Sequence, residues 1–114
     1  MNWGEKFNIW LQGVKYAFVT EKSLIVQTIS VTILVILLEI YIENWQIIKQ
    51  TIIFGVIILL LEFINTIVED ICDFMEPKRN LKIKQIKDLS SGMVGLAIIS
   101  FSLITLFDII IFLY

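Results

Sequence analysis

The sequence predicts an all-α integral membrane protein: an N-terminal amphipathic interfacial helix followed by three transmembrane helices. Two observations predict it. Of the 114 residues, 58% are hydrophobic and one is proline; a soluble domain of this size has too little interior to hide that many apolar side chains. The apolar residues also gather into three long stretches, 24–42, 47–68 and 92–114. Each is about 20 residues, enough to cross a hydrocarbon core of roughly 30 Å at 1.5 Å per residue. The length allows one domain, residues 1–114.

The first element is residues 1–22. Trp3, Phe7, Trp10, Val14 and Phe18 recur at spacings of three or four and form one apolar stripe. Asn2, Glu5, Lys6 and Gln12 fall largely off it. That pattern predicts a helix lying in the membrane interface, where tryptophan suits the headgroup region. The segment lacks the apolar core and small-residue cleavage site of a removable signal.

The spans at 24–42, 47–68 and 92–114 are rich in isoleucine. In water such runs could be buried strands; at this length, with few Gly or Pro breaks, they predict membrane helices. Glu43, Asn44, Trp45 and Gln46 predict a tight turn between the first two. A longer, highly charged connection, from Asp70 to Lys87, holds Pro77. Lys6, Lys15, Lys22, Lys78, Arg79, Lys82, Lys84 and Lys87 fall on one side of the membrane, and Lys49 lies near the other. The positive-inside rule puts the amino terminus and the long connection in the cytoplasm.

The formal net charge of −2 comes with no basic patch interleaved with aromatics, so nucleic acid is not an expected partner. One cysteine, Cys72, and no histidine exclude an intrachain disulfide and a zinc site of ordinary Cys/His spacing. Cys72 reads as a packing residue. Without histidine, any general base must be a carboxylate, lysine or tyrosine.

The informative residues are polar groups within the second span. At 100° per residue, Glu62, Asn65, Thr66, Glu69 and Asp73 fall on one narrow helix face. Glu62 and Glu69 are two turns apart, roughly 10 Å along the axis. Ionisable groups in a span are costly and face a bundle interior or a water-filled cavity, which marks this face as a candidate site. Carboxylates and an amide suit a hard cation such as Mg²⁺, which takes substrate phosphates as further ligands. Lys84, Lys87 and Asp88 stand at the start of the third span's helix, on the same membrane side. Carboxylates, Mg²⁺ and lysine are the parts of a phosphoryl-transfer site, here without a glycine-rich phosphate loop. A single Glu in a span can also be a structural hydrogen-bonding group between helices.

Glu62-Phe63-Ile64-Asn65-Thr66-Ile67-Val68-Glu69 closely resembles the Glu-x-x-Asn-Thr-Ala-Ile-Glu signature of the prokaryotic diacylglycerol kinase and undecaprenol kinase family. Lys84-Gln85-Ile86-Lys87-Asp88 resembles that family's second motif, and Phe7 through Gly13 to Glu21 its surface helix and following glutamate. The pattern departs at Ile67-Val68, at Lys22-Ser23-Leu24-Ile25 and at Asn80. The resemblance implies a homotrimer in the prokaryotic plasma membrane, with the site on the cytoplasmic side. It also implies transfer of the γ-phosphate of MgATP to a lipid hydroxyl, of undecaprenol or diacylglycerol. Carried over residue by residue, Glu62 becomes the general base and Glu21 and Glu69 the metal ligands. Asn65, Asp73, Lys87 and Asp88 complete the ATP site.

Two other readings stay open at this stage. One is a small oligomeric transporter or channel, with Glu39 and Asp108 near the outer span ends as further polar stations. The other is a catalytically inactive member of the same family.

Overall fold

The computed structural model describes residues 1–75 and 80–114. Within them lie four helices: α1 (Trp3–Thr20), α2 (Lys22–Tyr41), α3 (Trp45–Met75) and α4 (Leu81–Leu113). The last three are long and apolar enough to cross a membrane. Pro77, Lys78 and Arg79, which the sequence places in the charged connection, lie outside the described residues.

Each helix begins or ends where its sequence dictates. The Asn2 side chain accepts from the Glu5 N–H at 2.9 Å, which caps α1. At Glu21 the backbone becomes extended, with φ −113° and ψ 101°, and this one residue separates α1 from α2. The α2–α3 turn is short. Glu43 takes φ 53° and closes on the Leu38 carbonyl at 3.0 Å, and Asn44 Oδ1 accepts from the N–H groups of Gln46 and Ile47. Asn80 caps α4 by accepting from Lys82 N–H at 2.8 Å and Ile83 N–H at 3.4 Å.

The connection expected from Asp70 to Lys87 is largely helical. α3 runs on to Met75 and α4 starts at Leu81. Charged residues end the apolar stretch without ending the helix, because Lys, Glu and Gln are good helix formers. The charges therefore ride on helical extensions that project from the spans, at positions fixed relative to the second-span face.

α3 is the central element. It packs against α2 on one side and α4 on the other, and those two lean on α3 more than on each other. Little of the surface is buried within one chain. Among the described residues only Leu24 is fully enclosed, while large side chains such as Val26, Leu60 and Leu103 are exposed, as expected of helices facing hydrocarbon. Hydroxyls in the spans are satisfied by their own helix: Thr28 donates to the Leu24 carbonyl, Ser30 to Val26, Thr32 to Thr28 and Thr51 to Ile47.

Three contacts fix the helices laterally. Phe18 and Phe63 meet edge to face with ring centroids 6.2 Å apart, which ties the end of α1 to α3 one residue from Glu62. Phe54 and Phe101 stack at 4.3 Å across α3 and α4. Such aromatic pairs contribute about 0.5–1.5 kcal/mol beyond their buried area. The third contact is Gly55 against Val31. A Cβ at Gly55 would lie 2.7 Å from Val31 Cγ1, so α2 and α3 approach this closely only because residue 55 has no side chain.

Gly55→Ala is expected to destabilise the α2–α3 pair by about 1–3 kcal/mol, the usual cost of overpacking. Thermal unfolding in micelles measures it, and Val31→Ala in the same chain is expected to restore most of the loss.

Candidate functional site

The acidic residues come together at one level of the bundle. Glu21, Glu62, Asn65 and Glu69 line a single cavity of about 370 Å³ with Ser23 and, on α4, Ser91, Val94, Gly95 and Ile98. Three local features build it. The extended backbone at Glu21 delivers that side chain from the α1–α2 junction. The i, i+3, i+7 spacing of Glu62, Asn65 and Glu69 puts them on one face of α3. Residues 91, 94, 95 and 98 repeat the same periodicity on α4, opposite them.

Inside the cavity Asn65 Nδ2 donates to Glu69 Oε1 at 3.2 Å. That bond orients the amide and leaves Asn65 Oδ1 buried, with no hydrogen-bond partner among the described residues. A buried carbonyl oxygen without a donor is costly unless a ligand meets it. Among the described residues no three carboxylates or thiols converge tightly enough to hold a metal ion by themselves. The donors present, carboxylates and an amide oxygen, still suit Mg²⁺, which is held by one or two carboxylates and completes its shell with phosphate and water.

The face read from the sequence divides in two. Glu62, Asn65 and Glu69 open on the cavity, whereas Thr66 is buried and does not line it. Asp73, one turn beyond Glu69, pairs with Lys87 of α4, Nζ to Oδ1 at 2.7 Å. Asp88 pairs with Lys84 at 2.6 Å along α4 itself. Of the four expected nucleotide-binding residues, Asn65 thus lines the cavity, while Asp73, Lys87 and Asp88 sit in two exposed ion pairs on the helical extensions beside it. Cys72 is buried, as a packing residue should be.

Five cavity residues were not among the site residues read from the sequence: Ser23, Ser91, Val94, Gly95 and Ile98. Ser91 and Gly95 carry a faint signal, because they stand four and eight residues beyond Lys87 on one helix face. A Cβ at Gly95 would meet nothing within 4 Å, so this glycine widens the cavity and avoids no clash.

The Lys84–Asp88 pair is exposed on both sides, with 71% and 62% of the side-chain areas accessible. Asp88→Asn is therefore expected to change unfolding free energy by about 0.5 kcal/mol or less. Thermal unfolding in micelles measures it; a larger loss would make this carboxylate a structural group.

A comparison with curated proteins returns no match. Against protein families, the chain matches the one described as prokaryotic diacylglycerol kinase over residues 8–110. That match takes in α2 and α3 whole, most of α1 and α4, and every residue of the acidic cavity. The chain belongs to the prokaryotic diacylglycerol kinase family, a family of membrane lipid kinases.

Proposed function

We propose that this protein transfers the γ-phosphate of MgATP to the hydroxyl of a membrane lipid, undecaprenol or diacylglycerol, at the acidic cavity. The observation that carries the reading is the gathering of Glu21, Glu62, Asn65 and Glu69 on one cavity at the end of the apolar spans, with cationic side chains beside it. The charge bias of the loops sets that end in the cytoplasm, where ATP is available. The family signature supports a homotrimer in the prokaryotic plasma membrane.

The residues divide the work by depth. Glu62 is the innermost carboxylate of the face, about two turns further into the span than Glu69. A lipid hydroxyl stays near the headgroup boundary and reaches the cavity from the bilayer, so it meets Glu62 first. Glu62 accepts the hydroxyl proton as the lipid oxygen bonds to the γ-phosphorus. The bond from that phosphorus to the β–γ bridging oxygen breaks, and ADP leaves. Glu69 and Glu21 would hold the cation, which would offset the charge of the transferring phosphoryl group. Asn65 fixes the Glu69 carboxylate, and its own buried carbonyl oxygen has no partner among the described residues. Lys87 and Asp73, with Asp88, sit where the rest of the nucleotide emerges toward the cytoplasm.

The outer end of the bundle is packed with apolar side chains. There Leu38, Ile47 and Ile48 form a buried apolar cluster with Val35, Ile42 and Ile109 packed on it.

Two conservative variants separate the roles. Glu62→Gln is expected to fold and assemble, to bind MgATP, and to lose roughly two to four orders of magnitude in kcat. Glu69→Gln is expected to lose metal-dependent nucleotide binding itself. Lipid-dependent ATP turnover, nucleotide binding and trimer stability are measured on the same preparations. Near-normal turnover of Glu62→Gln would refute the catalytic role, and collapse of the assembly would make Glu62 a structural residue.

A further inference from the structure

Two polar atoms near the acidic cavity are buried with no hydrogen-bond partner among the described residues: Asn65 Oδ1 on α3 and Ser90 Oγ on α4. A third such atom, Gln50 Nε2, lies toward the other end of α3.

Helix packing sets Asn65 and Ser90 opposite each other. α3 and α4 run antiparallel, as the Phe54–Phe101 stack and the Asp73–Lys87 pair together require. Asn65 stands eleven positions after Phe54, and Ser90 eleven before Phe101 (65 − 54 and 101 − 90). Eleven residues are close to three full turns, so each helix returns to nearly the same direction. Asn65 and Ser90 therefore share one level, about 16 Å inward of the aromatic pair, each on the side that faces the other helix. Burial agrees: Ser90 is 8% exposed, and α3 is the helix on which α4 packs. Ser91 and Val94, its neighbours on α4, line the acidic cavity together with Asn65.

The two unmet atoms have complementary needs. An amide oxygen only accepts, whereas a hydroxyl both donates and accepts. The hydroxyls of Thr28, Ser30, Thr32 and Thr51 donate to the carbonyl four residues back. Turning Ser90 to the Ile86 carbonyl in the same way would satisfy the hydroxyl and leave Asn65 Oδ1 without a donor. The two atoms are not bonded to each other, and one water between them meets both needs.

We propose that Asn65 Oδ1 and Ser90 Oγ hold one buried water in the wall of the acidic cavity, which makes Ser90 a positioning residue for the site. The water donates to Asn65 Oδ1 and accepts from Ser90 Oγ. It thereby sets which way the amide faces, so that Nδ2 stays on the Glu69 carboxylate. The amide oxygen keeps a second lone pair for a ligand. The effect on nucleotide binding rests on the kinase reading of Glu69; the water and its two partners do not.

The test compares Ser90→Ala and Ser90→Thr with the parent, each as the assembled protein in micelles and each checked by thermal unfolding. Isotope labelling of the asparagine side-chain nitrogens reads the water by NMR. The Asn65 amide is expected to show a cross-peak to a long-lived water, lost in Ser90→Ala and kept in Ser90→Thr. Affinity for MgATP is expected to fall about fivefold in Ser90→Ala, the effect of losing one hydrogen bond, and to return in Ser90→Thr. In an Asn65→Ala background, adding Ser90→Ala is expected to change the affinity no further. Should Ser90→Ala fail to assemble, Ser90→Cys, of similar shape and with a weaker donor, takes its place. A parent without the water cross-peak overturns the proposal, and so does a Ser90→Ala loss that persists in full beside Asn65→Ala. Loss of the cross-peak with unchanged MgATP affinity leaves the water standing and removes the nucleotide role of Glu69.

Discussion

A carboxylate held inside an apolar helix is the constraint on which the rest of this structure depends. An ionised side chain at the centre of a membrane span costs about 3 kcal/mol on insertion scales, and more without water or a partner. Glu62, nearer the end of its apolar stretch, carries part of that cost on α3, the helix that the other two spans flank. The surroundings meet it in several ways. The cavity admits water and substrate, Ser23 and Ser91 supply hydroxyls to its wall, and Gly95 keeps it wide. The Phe18–Phe63 contact holds the α1–α2 junction beside it, so that Glu21 arrives on the same cavity. Such a concentration of acid is hard to explain by stability alone. It is what a site for a cation and a phosphate requires.

Much of this was legible in the sequence. The spans were visible because twenty apolar residues in a row have few other uses. The acidic face was visible because helical periodicity is fixed at 100° per residue, so Glu62, Asn65 and Glu69 had to share a direction. Periodicity gives direction on one helix but not what stands opposite. Asp73 lies in nearly the same direction as Glu69, yet it meets Lys87 of α4, because α4 passes alongside at that level. Thr66 lies within the same face and is buried. The residues that α4 contributes were invisible for a related reason. Ser91 and Gly95 are ordinary in a membrane helix, and only the packing of α4 on α3 makes them a cavity wall. The helical extensions were misread as a connection because charge was taken as the end of structure, when it marks only the end of the bilayer.

Two glycines show how the same residue does opposite work in one bundle. Gly55 permits contact: Val31 occupies the space its side chain would fill, and α2 closes on α3. Gly95 preserves space: nothing approaches it, and the cavity stays open. The cavity shares Ser23 and Ile98 with a groove that runs along α2 and α4 over α3. The three spans thus wall the cavity that holds Glu21, Glu62 and Glu69, and the charged extensions of α3 and α4 stand beside it.

The central claim is that phosphate crosses from a water-soluble donor to a lipid at this cavity. The most direct measurement uses purified protein in a bilayer, ATP radiolabelled at the γ position, and undecaprenol or diacylglycerol as acceptor. Label is expected to appear in the organic extract as a lipid phosphate when Mg²⁺ is present, and to stop appearing when the cation is chelated. No labelled lipid from either acceptor, with intact protein and free Mg²⁺, would contradict the account.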